Sequence, residues 1–217
     1  MTLTQIRAGK PNRPLARELS VTALFLLLGA VLGVAAKWMD TLGCGDGNVW
    51  AGLMLRLGLP QLFSRMGVWA LLALLIAVYS RRAVKAALNT FAFFLGMLAG
   101  YYLYTIYFVG FFPRSYMISW GLITLATPLL GAIAWYAKGH GWPAVLFSAA
   151  ILSFFIYQAF AFGMWYCDVT HWQELLFLPV AVIILYSGPK KLLWSLLGAV
   201  LLAPLCRELL PYVVGGL

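Results

Sequence analysis

Long uninterrupted apolar runs, with little polar alternation inside them, set the pattern of this chain. The first extends from Leu19 to Ala36 behind Arg7, Lys10, Arg13 and Arg17. Further runs are Met66 to Ser80, Ala86 to Phe112, Met117 to Ala137, Trp142 to Tyr166, about Trp172 to Ser187, and Leu192 to about Cys206. A helix needs about 20 apolar residues to cross a hydrocarbon layer of about 30 Å. The pattern therefore predicts an all-α, polytopic helical membrane protein with about seven transmembrane helices. The second and sixth runs fall short of that length, so those helices must tilt little, thin the bilayer or border water. A cleaved signal peptide competes for the first run, because Ala35 and Ala36 are small. The run nevertheless exceeds the roughly 7 to 15 apolar residues of a signal core, which favours a retained span.

Charge orients these spans, because Lys and Arg of short loops stay in the cytoplasm. With the N-terminus inside, the inner side holds Arg7, Lys10, Arg13, Arg17, Arg81, Arg82, Lys85, Lys138, Lys190 and Lys191 against Glu18 alone. Lys37, Arg56, Arg65, Arg114 and Arg207 balance Asp40, Asp46, Asp168, Glu174 and Glu208 on the outer side. The whole formal charge of +9 thus falls on one face, which predicts an N-in/C-out, multi-pass protein of the plasma membrane. An anionic cytoplasmic leaflet accounts for this basicity, so no nucleic acid is called for.

Composition extends the picture to the whole chain. The 217 residues are 64% apolar and 10% charged, with a mean hydropathy of +0.92, too little polar surface for a soluble domain. A single integral membrane domain over 1–217 follows, with a basic cytoplasmic N-terminus at 1–18 and an outer loop at 40–65. Within that loop, Val49 to Leu59 reads as an amphipathic helix that seals the bundle or lids it.

Three inner turns resemble one another: Ala77-Val78-Tyr79-Ser80-Arg81, Ala134-Trp135-Tyr136-Ala137-Lys138, and Ile184-Leu185-Tyr186-Ser187 ahead of Lys190 and Lys191. One N-terminal helix plus three helical-hairpin repeats would give this pattern. An interfacial tyrosine followed by basic residues would also give it without duplication. Pro128 and Pro179 precede two of the turns and would each release a backbone carbonyl. Gly29 with Gly33, and Gly96 with Gly100, give two GxxxG spacings that permit close helix approach.

Candidate chemistry gathers on the outer side. Asp40, Asp168 and Glu174 would rim a vestibule with Trp38, Trp165, Tyr166, Trp172, Tyr101 and Tyr104 around them. Carboxylates among aromatic faces suit an organic cation or an aromatic solute. Interfacial aromatics and solvent-facing acids form the same list without a ligand, and Lys37 stands three residues before Asp40, at ion-pair spacing. Gln158 lies inside the fifth run and needs a hydrogen-bond partner, from a ligand or a neighbouring helix. Cys44, Cys167 and Cys206 share the outer side, where Cys44 and Cys167 could form a disulfide. His140 and His171 fall on opposite sides, which defeats a two-histidine metal site. No phosphate loop, Ser-His-acid set, HExxH or CxxC is present, so nothing calls for a catalytic residue, cofactor or metal.

The expected function is small-molecule transport or solute binding in the outer half of the bundle, without enzymatic activity. The alternative is a non-enzymatic assembly or regulatory subunit that contacts membrane proteins or anionic lipids. The expected partners are the bilayer and a small ligand, with a partner subunit or a homo-oligomer left open. In size and in lacking an ATPase the chain is similar to the substrate-binding subunits of energy-coupling-factor vitamin transporters. Those have six helices and both termini inside, so seven spans and an outer C-terminus depart from that pattern.

Overall fold

The computed structural model describes residues 3–11, 14–42, 49–110, 113–162, 166–169 and 171–209. A short α1 (Leu3–Ile6) precedes the long α2 (Leu15–Asp40). The next segment holds α3 (Val49–Arg56) and α4 (Leu59–Phe63), separated where Gly58 adopts φ +66°. Six more helices follow as α5 (Met66–Tyr79), α6 (Ala83–Tyr104), α7 (Arg114–Ala137), α8 (Gly141–Ala159), α9 (Trp172–Leu185) and α10 (Pro189–Leu209). Across two of the three similar turns the joined helices pack on each other, α5 on α6 and α7 on α8, whereas α10 packs mainly on α8. A π-helical turn, Thr105–Val109, extends α6.

Among the described residues, α2, α6 with its π turn, α7, α8 and α10 are long and apolar enough to cross a membrane. The shorter α5 and α9 have 14 residues each, about 21 Å of helix. Protein surrounds much of α5, which buries Trp69, Leu71, Leu74, Ile76, Ala77 and Val78. One core joins α5 to α7, α8, α9 and α10 through Leu74, Trp135, Leu152, Phe155 and Ile184. The other joins it to α2, α6 and α7 through Ala36, Phe93, Met97 and Trp120. By contrast, only Gly29, Gly33, Ala36 and Met39 of α2 are buried.

Those α2 glycines meet the second GxxxG spacing. A methyl placed on Gly29 would lie 2.0 Å from the Phe93 carbonyl oxygen, and one on Gly96 would lie 2.0 Å from that of Leu26. Only the absence of side chains lets α2 and α6 run this close.

The fifth span ends earlier than its hydropathy predicts. Helix α8 stops at Ala159, and β1 (Phe160–Phe162) pairs antiparallel with β2 (Cys167–Val169). Pro128 does release the Thr124 carbonyl, which accepts a 2.7 Å hydrogen bond from Thr127 Oγ1.

Where the hairpin turns gather, the basic end of the bundle, cations cap helix C-termini. Arg7 donates to the Val78 carbonyl of α5 at 2.9 Å and to the Trp135 carbonyl of α7 at 2.7 Å. Its guanidinium also lies 4.5 Å from the Trp135 ring centroid. Lys138 caps α9 at Ile184 and Tyr186, and Lys191 caps α7 at Ala137 and Gly139. Unpaired carbonyls and the negative helix ends both favour these contacts. Burial lowers the pKa of Arg7, and burial beside Arg7 lowers that of Lys138.

Candidate functional site

The opposite, far end of the bundle carries the predicted acids and aromatics in separate groups. On α2 and α6, Asp40 Oδ2 lies 3.9 Å from Lys37 Nζ and accepts a 3.3 Å hydrogen bond from the Tyr101 hydroxyl. Lys37 donates to the same hydroxyl at 3.4 Å and lies 5.1 Å from the ring centroid. Carboxylate and aromatic face do converge on a cation here, and that cation is the chain's own lysine. Tyr101 also packs against Tyr102 and Tyr116. The cavity beside them, bordered by Ala36, Phe63, Trp69 and Trp120, has about 20 Å³, room for one water.

Glu174 occupies a different setting. Helix α9 places it in its first turn, 1% exposed, and neither carboxylate oxygen has a hydrogen-bond partner among the described residues. The carboxylate lies against the first turn of α5, where a methyl on Gly67 would fall 1.8 Å from Oε2. Gly67 is therefore required for this approach. The positive end of α5 and the charge of Arg65, its N-cap, favour an anion there. Burial pulls the Arg65 pKa down while Glu174 opposes that shift, and Arg65 Nη1 is itself buried without a hydrogen bond among the described residues. His171, the N-cap of α9, is pushed below its ordinary pKa by burial and by Arg65. Gln173 reaches back to the Leu57 and Gly58 carbonyls at 3.5 Å, so the break between α3 and α4 covers the start of α9. Phe63 of α4 accepts a 2.8 Å bond from Trp69 Nε1, which fastens the same segment to α5.

Among the described residues, no hydrogen bond, ion pair or ring contact joins the remaining predicted ones to these. Asp168 is exposed on β2, and Trp38, Tyr166 and Trp172 are exposed as well. Tyr104 stacks on Phe108 at 4.7 Å. Half-buried Gln158 forms no hydrogen bond with a described residue, so the interhelical bond expected of it is not found among them. Trp165 and Cys44 lie outside the described residues, and with Cys44 so does its pairing with Cys167. Cys206 Sγ lies 3.4 Å from Ser153 Oγ.

Sequence reasoning missed a buried polar path at the basic end. Thr22 Oγ1 donates to Asn89 Oδ1 at 2.7 Å, Asn89 Nδ2 donates to Ser80 Oγ at 3.2 Å, and Ser80 Oγ donates to the Ile76 carbonyl. Asn89 within the apolar third run was the available signal.

Helices of this length and hydropathy, packed through small residues with carbonyls satisfied internally, make the architecture that of a helical membrane protein. The chain matches no known protein-family signature, no curated protein and no solved structure.

Proposed function

We propose that this chain is a small-molecule membrane transport or solute-binding protein, with a cation-responsive site at the far end centred on Glu174. One observation carries the reading: a carboxylate 1% exposed, without a hydrogen bond, beside the first turn of an apolar helix. Ionisable groups so placed are costly and mark ion or substrate paths by default. Arg65 and the positive end of α5 balance this carboxylate, so a cation that enters between α5 and α9 competes with Arg65 for it, and the α3–α4 cover governs access. The Lys37–Asp40–Tyr101 group supports the chemistry by showing how this end of the fold holds an ammonium group. An assembly subunit draws less support, because both GxxxG faces and the capping cations Arg7, Lys138 and Lys191 are engaged within the chain.

The test is thermal unfolding of the purified protein against a panel of alkali-metal, methylammonium and tetramethylammonium chlorides. At least one cation should raise the midpoint of wild type and of Asp46→Asn, but not of Glu174→Gln. A panel without effect, or equal shifts in all three proteins, refutes the reading.

A further inference from the structure

At the basic end, a cavity of about 470 Å³ opens between α2, α5 and α6, within the size range of small-molecule sites. Its mouth carries Lys10, Arg17, Arg81 and Lys85, with Glu18 as the one acid among its described lining residues. Glu18 is engaged at 2.7 Å by Lys85. The chain itself holds this crowd of cations in place. Lys10 N donates to the Arg81 carbonyl at 2.9 Å, Arg82 Nε to the Lys10 carbonyl at 3.0 Å, and Arg81 Nε to the Pro11 carbonyl at 3.2 Å. These bonds strap the N-terminal segment across the turn between α5 and α6, which keeps like charges together. Deeper in, the lining changes character: Phe25 and Leu28 from α2 face Leu72 and Leu75 from α5. Asn89, 5% exposed, adds a polar group to the lining.

We infer that this groove binds one anionic membrane lipid, a phosphate head group at the four cations and a hydrocarbon chain along the α2–α5 wall. Charge complementarity selects the head group, because the described lining sets four cations against one acid. The apolar depth selects an amphiphile over a soluble anion, since a free phosphate gains nothing from Phe25 or Leu72. Unlike general attraction between a basic face and an anionic leaflet, the groove predicts a fixed stoichiometry and dependence on its apolar wall. It stands apart from the Glu174 site, at the other end of the bundle.

Native mass spectrometry of the full chain, after exchange with phosphatidylglycerol or phosphatidylcholine of matched chains, tests the inference. The expected result is a one-to-one adduct retained for phosphatidylglycerol and not for phosphatidylcholine. Arg17→Ala, at an exposed position, should reduce its retention about fivefold, in line with the attraction of one cation near an anionic surface. Leu72→Trp should reduce it by filling the wall, while Arg56→Ala at the far end should leave it unchanged. Equal retention of the two lipids overturns the inference, as does an adduct indifferent to both Arg17→Ala and Leu72→Trp. Displacement by millimolar inorganic phosphate identifies a soluble-anion site and overturns it too.

Discussion

Replacing Gly29 or Gly96 by alanine tests the closest helix contact in the fold. Each new methyl would sit 2.0 Å from a backbone carbonyl oxygen of the facing helix, and real Cβ atoms essentially never come within 3.0 Å. A backbone carbonyl cannot swing aside as a long side chain can, so α2 and α6 must separate locally by about 1 Å. A gap of that size forfeits roughly a quarter to a half of each dispersion contact along the seam. Overpacking of this kind costs about 1–3 kcal/mol, and the rigidity of both partners puts the expected cost at about 2–3 kcal/mol. At roughly 2–4 °C per kcal/mol for a chain of this size, the midpoint falls by about 4–12 °C. Thermal unfolding in detergent, followed through the nine tryptophans, is the assay. Gly121→Ala on α7 is the control, because its methyl meets nothing within 4 Å. That variant should keep or raise the midpoint, since alanine favours a helix over glycine by up to about 1 kcal/mol. The double variant Gly29→Ala/Gly96→Ala should cost less than the sum, because one separation relieves both clashes. Midpoints of Gly29→Ala and Gly96→Ala within about 1 °C of Gly121→Ala would refute the packing argument.

Two further outcomes follow from the caps and the proline. Arg7→Ala removes donors from the Val78 and Trp135 carbonyls and should cost about 1.5–3 kcal/mol, while Arg7→Lys recovers only part because an ammonium lacks the planar fork. An unchanged midpoint for Arg7→Ala would show that the N-terminal segment does not hold the bundle. Thr127→Val should cost about 1 kcal/mol by stranding the Thr124 carbonyl, but nearly nothing in a Pro128→Ala background, where the restored backbone N–H takes that carbonyl. Equal costs in the two backgrounds would contradict the pairing.

Hydropathy located the helices well because burial in lipid and burial in protein both demand apolar runs. It failed at Phe160–Phe162, whose composition suits a spanning helix as well as a β ribbon. Local spacing found what neighbours along one helix decide, as with Lys37 and Asp40 at i,i+3 or the carbonyl released by Pro128. The enclosure of Glu174 was not legible, since it depends on Gly67 more than one hundred positions earlier and on the packing of α9 against α5. Nor was the split between the acids. Trp38, Tyr166 and Trp172 share a composition with a binding vestibule but are exposed, as interfacial aromatics are. The capping roles of Arg7, Lys138 and Lys191 escaped for a related reason: positive-inside counting explains a cation's side of the membrane, not the carbonyl it meets.

Titration calorimetry with tetramethylammonium on wild type, Glu174→Gln and Asp168→Asn tests the cation-site reading most directly. The expected result is a saturable, one-to-one isotherm for wild type, kept in Asp168→Asn, whose carboxylate is exposed, and lost in Glu174→Gln. An isotherm that survives Glu174→Gln, or one lost equally in both variants, contradicts it.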